Sequence, residues 1–386
     1  MAKPDNAPVL NQAFRVGEAL QENVYTRNGL LLLKKGHYVL SESQRERLVR
    51  MGVTVPGGHM APVESDLARI GDFSPFEEVQ HAARHLDYLL GAGLSSQGFE
   101  QRVRALANRL AAFTQRAPDG MLAAVLLVPV NKYAAAHSVH VVIILTMLAG
   151  KLDLPPEVKN SLLCAALTMN LSIASLMDNL HHQRKPLSDE QKQQIEAHPL
   201  LSSAMLRELN VHDELWHQLV QTHHEQWNGS GYPYGLGREH IETLSHLLHL
   251  ADVTAAKLAP RGYRAALKPN KALASVFLEA DKSFDHHLTS LLVKELGIYP
   301  PGCFVRLANQ EMGVVLQRRN RANAPCVAAL RSNDGASYSK PQLREASKSQ
   351  YKIMHALDQQ QIGIRPQYLA SLWKRQRITP LLPHDQ

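Results

Sequence analysis

Between Phe99 and about residue 295 the apolar residues of this 386-residue chain recur at helical rather than strand spacing, and this regularity narrows the fold class most. Phe99, Val103, Leu106, Leu110 and Phe113 follow at alternating steps of four and three, which aligns them on one helix face. A long succession of such stripes predicts helices buried against one another. The pattern fails on both sides. Residues 14–55 read as a small α+β unit. There Asn28-Gly29, between Val24-Tyr25-Thr26 and the apolar run 30–33, is a two-residue hairpin signal, and Ser41 with Gln44 forms a capping box for a helix that Gly52 can close. Residues 54–75, rich in Pro, Gly and Ser, read as a linker. After Tyr299 short β-rich runs at 303–307, 313–316 and 326–330 alternate with polar turns, and beyond Gly335 the chain reads as a polar, basic tail with one helix near 366–377. The expected organisation is mainly α: a small α+β N-terminal module (1–60), a linker and helical connector (61–98), a helical domain (99–296), a β-rich extension (297–335) and a basic tail (336–386).

Hydrophobic residues at 45% and charged residues at 20% fit a folded globular chain and exclude a disordered or collagen-like one. The longest apolar stretches, 121–130 and 141–150, fall short of the roughly 18 to 20 residues that span a bilayer, and the first residues lack an apolar signal core. No transmembrane segment is expected. Three cysteines argue against a disulfide framework and for a reducing, cytoplasmic setting. The net charge of +7 is local: residues 302–386 hold 13 Lys and Arg against 5 Asp and Glu, while the first 301 residues are close to neutral. That imbalance fits either an anionic partner or a solvated tail, and without a recognised fold or interleaved aromatics nucleic acid is not the expected partner.

Histidine is the more informative excess, with 14 of its 20 occurrences between His137 and His287. The densest information lies in His223-His224-Glu225-Gln226-Trp227-Asn228-Gly229-Ser230-Gly231-Tyr232-Pro233. Adjacent histidines ahead of a glycine-rich turn put imidazoles at a helix end, where ligands can converge on an ion. This run resembles the signature of the HD-GYP proteins, a subgroup of the HD-domain phosphohydrolases whose best-known activity is hydrolysis of cyclic di-GMP. The resemblance extends in register through residues 133–138 (YAAAHS), Ala165-Ala166-Leu167, Lys185-Pro186-Leu187, His198-Pro199, Leu250-Ala251-Asp252-Val253, Arg261-Gly262-Tyr263-Arg264 and Gly297-Ile298-Tyr299-Pro300, covering about residues 100 to 330.

The family's chemistry uses clustered metal ions that generate a nucleophile and clamp the phosphate, with a carboxylate bridging ions that would otherwise repel. Where the family reads Ala-Ala-Leu-Leu-His-Asp-x-Gly-Lys, this chain has Ala165-Ala166-Leu167-Thr168-Met169-Asn170-Leu171-Ser172-Ile173. Met169 and Asn170 thus replace the histidine and bridging aspartate, and Ile173 replaces a substrate-facing lysine. A glutamate that some members use corresponds to Tyr133, and an aspartate after Asp252 corresponds to Ala255. The resemblance leaves His198, His223 and His224 as ligands for one divalent ion (Fe, Mn or Zn), with His137 and Asp252 as remnants of a second position. Arg261 and Arg264 match a phosphate-binding pair, and Gly229, Gly231, Tyr232 and Pro233 retain the loop that in the family lines the site and docks partners, including diguanylate cyclases. The implied fold is a helical HD-domain bundle. The implied function is that of a degenerate bacterial HD-GYP signalling protein, either a catalytically impaired cyclic di-GMP receptor or a partner-docking scaffold. The alternative is a phosphohydrolase or cyclic di-GMP phosphodiesterase with residual activity from one metal. His181, His182, His212, His217, His240, His246, His249, His286 and His287 fall outside the matched positions and read mostly as helix-surface or loop residues, while His140, three residues after His137, shares its helix face but has no counterpart in the family.

Overall fold

The computed structural model describes residues 16–20, 23–25, 31–33, 35–39, 45, 74–91, 98–129, 131–258, 268–279, 283–358, 362–364 and 366–373. The expected Asn28-Gly29 turn, the Ser41 capping box, Gly52, and Arg261 and Arg264 lie outside the described residues. Two short antiparallel strands, β1 (Val24–Tyr25) and β2 (Leu31–Leu33), belong to the N-terminal part. The bundle then runs through α1 (Pro75–Gly91), α2 (Phe99–Arg116), α3 (Pro118–Leu127), α4 (Tyr133–Ala149), α5 (Pro156–Thr168), a 3-10 turn (Leu171–Ile173), α6 (Ala174–His182), α7 (Asp189–Glu208), α8 (Glu214–Thr222), α9 (Thr243–Leu258), α10 (Pro269–Leu278) and α11 (His286–Leu296).

Helix α4 organises the bundle. Every residue from Ala134 to Ala149 is buried, which is what an apolar surface on all sides of a helix demands. Helices α1, α2, α5 and α9 pack around it. The stripe predicted for α2 is buried as expected, from Phe99 to Phe113. Helix α1 falls in the segment read as a connector, yet it buries Val79, Ala82, Leu86 and Leu89 in the same core. The stretch Pro156–His182 is apolar and long enough to cross a membrane by length and composition. It is interrupted by the 3-10 turn and two thirds of its apolar window is buried against the rest of the protein, as suits a core segment.

The C-terminal part departs from the expected tail. Strands β3 (Phe304–Leu307), β4 (Met312–Gln317), β5 (Cys326–Arg331), β6 (Ser337–Glu345) and β7 (Ile353–Ala356) form one antiparallel sheet in the order β6-β5-β4-β3-β7. β6 was illegible as a strand because it is an edge strand with both faces largely exposed, so it lacks the apolar alternation that marks a half-buried strand. A last helix, α12 (Pro366–Trp373), returns Leu369 and Trp373 to the main core, where Trp373 stacks on Phe76 with ring centroids 5.6 Å apart. The sheet is anchored to the bundle by Arg318, whose Nε donates to Asp119 Oδ1 at 2.6 Å and whose Nη1 donates to the Glu295 carbonyl. Gly302 (φ 92°) lies where a Cβ would come within 3.1 Å of the Ala123 backbone, so the approach of the sheet to α3 requires glycine.

Candidate metal centre

Helix α7 opens with a full capping box between Ser188 and Gln191 and carries His198 in its middle. The next residue, Pro199, has no N–H, so the Ile195 carbonyl loses its intrahelical partner. His198 takes that oxygen, its Nδ1 lying 2.5 Å from Ile195 O. Helix α8, capped by Asp213 through the Trp216 N–H, ends at Thr222, which frees the carbonyls of its last turn. His223 uses one of them, with Nδ1 2.7 Å from Val220 O. Because each Nδ1 has only a carbonyl to bond, each must carry the proton, and each Nε2 is left with a lone pair.

Those two Nε2 atoms face each other at 3.1 Å. One ligand atom from each of His198, His223 and His224 lies within 4.8 Å of the others. Ligand nitrogens about 2.1 Å from one ion are separated by about 3.0 Å at right angles and about 3.4 Å at the tetrahedral angle, so the 3.1 Å between His198 and His223 fits a shared cation. Burial pushes the His223 imidazole down to about 3 and holds His198 and His224 below the ordinary histidine range, which keeps all three neutral, as metal ligands must be.

Beside the triad, His137 of α4 and Asp252 of α9 are bonded to each other, Nε2 to Oδ1 at 2.6 Å. Burial raises the Asp252 carboxyl, but the His137 hydrogen bond and the surrounding imidazoles outweigh it and keep the carboxylate ionised. Tyr133 stacks between His137 and His181, at centroid distances of 5.5 and 4.6 Å. Met169 and Asn170 follow α5 and are buried, as are Ile173 and Ala255. The turn that follows Asn170 is tied to α7 through Ser172, whose Oγ donates to the His198 carbonyl at 3.2 Å and pairs with Ser202 Oγ at 2.9 Å.

The Gly229–Ser230–Gly231–Tyr232–Pro233 loop folds back onto the triad. Tyr232 stacks on His224 at 4.6 Å and donates its N–H to the His224 carbonyl at 3.3 Å. A Cβ on Gly231 would lie 2.4 Å from Gln226 N and 2.5 Å from both Glu225 Cα and His224 O, so this return is open only to glycine. Glu225 braces the loop from inside: its buried carboxylate accepts the N–H groups of Tyr234 at 2.7 Å and Leu236 at 2.8 Å. Trp227 sits between His246 and Arg238, with His246 edge-on at 4.7 Å and the Arg238 guanidinium 4.7 Å from the ring centroid.

His198, His223 and His224 are thus brought together, and His137 and Asp252 are brought to each other. Three histidines read from sequence as peripheral are buried instead: His217, His246 and His249. His217 is satisfied by Val211 O and Ser203 Oγ, a structural role. His249 and His246 lie three and six residues before Asp252, so they continue its buried face of α9; that i, i+3 spacing was the available signal.

Residues 102–288 match the family described as HD domain. Over 217 residues the chain is 29% identical to the cyclic di-GMP phosphodiesterase PA4108 of Pseudomonas aeruginosa, a match that covers 56% of this chain and 52% of the relative. It is 22% identical over 184 residues to the cyclic di-GMP phosphodiesterase PdeB of Borreliella burgdorferi, covering 48% of each. A solved chain described as Bd1817, a HDG"Y"P protein from Bdellovibrio bacteriovorus, is 15% identical and matches 72% of this chain and 95% of its own length at a TM-score of 0.49. The chain spans about half the length of the curated relatives it matches. The family match spans the helices that carry the histidines and the loop at 229–233, so it is this region, residues 102–288, that is similar to HD-domain proteins.

Proposed function

We propose that this chain is a catalytically impaired HD-GYP signalling protein that recognises cyclic di-GMP and holds one divalent ion on His198, His223 and His224. The observation that carries the reading is the facing pair of Nε2 lone pairs, fixed by carbonyls behind them and relieved by a cation between them. A bound divalent ion would supply Lewis acidity and lower the pKa of water. The chain's own residues hold the three rings, keep them neutral and place the Asp252 carboxylate beside them. A second ion would depend on His137 and Asp252, which bond each other, and on Met169 and Asn170, a thioether and a neutral amide that bring no negative charge. Losing one ion and a bridging charge costs several kcal/mol of transition-state stabilisation, and about 4 kcal/mol is already about a thousandfold in rate.

The likeness to cyclic di-GMP phosphodiesterases supports the ligand class, and the retained loop at 229–233 supports docking of a signalling partner such as a diguanylate cyclase. The three convergent neutral imidazoles favour a second reading, a single-metal phosphohydrolase with residual turnover. Calorimetric titration with cyclic di-GMP, followed by product analysis of the same sample, separates the readings. The proposal expects micromolar binding without appreciable linear dinucleotide. Absence of heat removes the receptor, and rapid turnover establishes the enzyme.

A further inference from the structure

The buried histidine of α9 closest to the triad, His249, has no place in the ligand set. Its ring centroid is 6.1 Å from that of His224, and it lies outside the cluster of converging ligand atoms. It is nevertheless only 5% exposed, its ring stacks on Phe284 at 5.3 Å, and its Nδ1 lies 2.8 Å from the His223 carbonyl oxygen. That oxygen belongs to the peptide joining His223 to His224.

The position of this bond matters because consecutive helical residues point about 100° apart, so neighbouring side chains cannot converge while the helix continues. Convergence here requires the chain to leave the helix after Thr222 and the peptide between the two histidines to be held in one orientation. The His223 carbonyl is one of the oxygens left without an intrahelical partner at the end of α8. Continued helix would pair it with the Trp227 N–H, which instead bonds Ser283 O at 3.4 Å. His249 supplies the donor from a neighbouring helix. The next carbonyl, that of His224, is held by the Tyr232 N–H, so both peptides flanking the His224 ring are fixed from outside α8.

We infer that His249 is a positioning residue that orients the His223–His224 peptide, and thereby makes two adjacent imidazoles available to one metal ion. The inference rests on the reading of the triad as a metal site. Outer hydrogen bonds of this kind typically carry 10- to 100-fold in metal affinity.

Cobalt(II) titration of the full chain, followed by the visible ligand-field band, tests it with two variants. His249→Phe keeps the ring against Phe284 and removes the donor; His249→Asn places an amide N–H near the position of Nδ1. The expected result is weaker cobalt binding by about 10- to 100-fold and an altered band in His249→Phe, with affinity and band restored in His249→Asn. Thermal unfolding of the metal-free proteins serves as the folding readout. Unchanged affinity and spectrum in His249→Phe overturn the inference, as does equal loss in both variants. No cobalt band in the parent protein removes the metal-site reading itself.

Discussion

Gly231 shows how much of the site is decided by one side chain that is absent. The loop crosses the backbone of residues 224–226 so closely that any Cβ there meets main-chain atoms, which cannot move aside as a flexible side chain would. Gly231→Ala is therefore expected to lower stability by about 1–3 kcal/mol, the usual cost of overpacking, and to weaken metal binding by displacing Tyr232 from the His224 ring. Thermal unfolding and metal titration check this, and unchanged metal affinity would show that the loop does not hold His224. The converging histidines themselves were legible in the sequence because the spacing of His198, His223 and His224 resembles a family pattern. His249 was not. Its i, i+3 spacing from Asp252 marks a buried face, but nothing local marks a bond to a distant carbonyl.

At the scale of the element, α7 trades helix stability for ring orientation. Pro199 costs the helix a hydrogen bond, and the carbonyl it leaves free is the one that fixes His198. Pro199→Ala restores an N–H that competes for Ile195 O. The expected outcome has opposite signs in two measurements: thermal stability rises by about 1–3 kcal/mol while metal affinity falls about tenfold. A variant that gained stability and kept its affinity would sink this account of the proline. The helices were largely legible because most bury an apolar face against their neighbours, although α6 buries none of its residues. β6 was not legible because an edge strand has little apolar face, and α1 was read as a connector because no motif marks it, although its buried stripe places it in the core.

For the molecule as a whole, eight histidines are buried among the described residues, and this sets its response to acid. Burial pushes His85 and His246 down to about 4, and His140 and His223 to about 3. Among the described residues, both ring nitrogens of His140 and His246 lack hydrogen-bond partners. In the unfolded chain these groups take up protons near pH 6.5, whereas in the folded chain they resist until about pH 3 to 4. Between those limits the unfolded state binds more protons, so stability is full above about pH 6.5 and is lost as the pH falls toward 4. Urea unfolding from pH 7 to pH 4 is expected to show that decline. His140→Leu, which removes an unpaired buried imidazole, should reduce the slope by about one proton and leave the neutral protein no less stable. A slope unchanged by that substitution would mean that His140 protonates freely in the folded protein.

The basic C-terminal region also changes meaning at this scale. Several of its cations are committed internally, Arg318 to Asp119, Arg319 to Glu345 and Arg344 to Glu311, so part of the local charge serves to hold the sheet together and against the bundle. That pairing could not be read from a sequence in which the partners lie up to 199 positions apart. On the proposed function, the centre retains one metal position and has lost the one built on the His-Asp pair. Metal content per chain, measured by elemental analysis on the parent protein and on Met169→His/Asn170→Asp after equal loading, tests it most directly. One ion in the parent and a further ion in the double variant is the predicted result; two or more ions in the parent, or none in either protein, would contradict it.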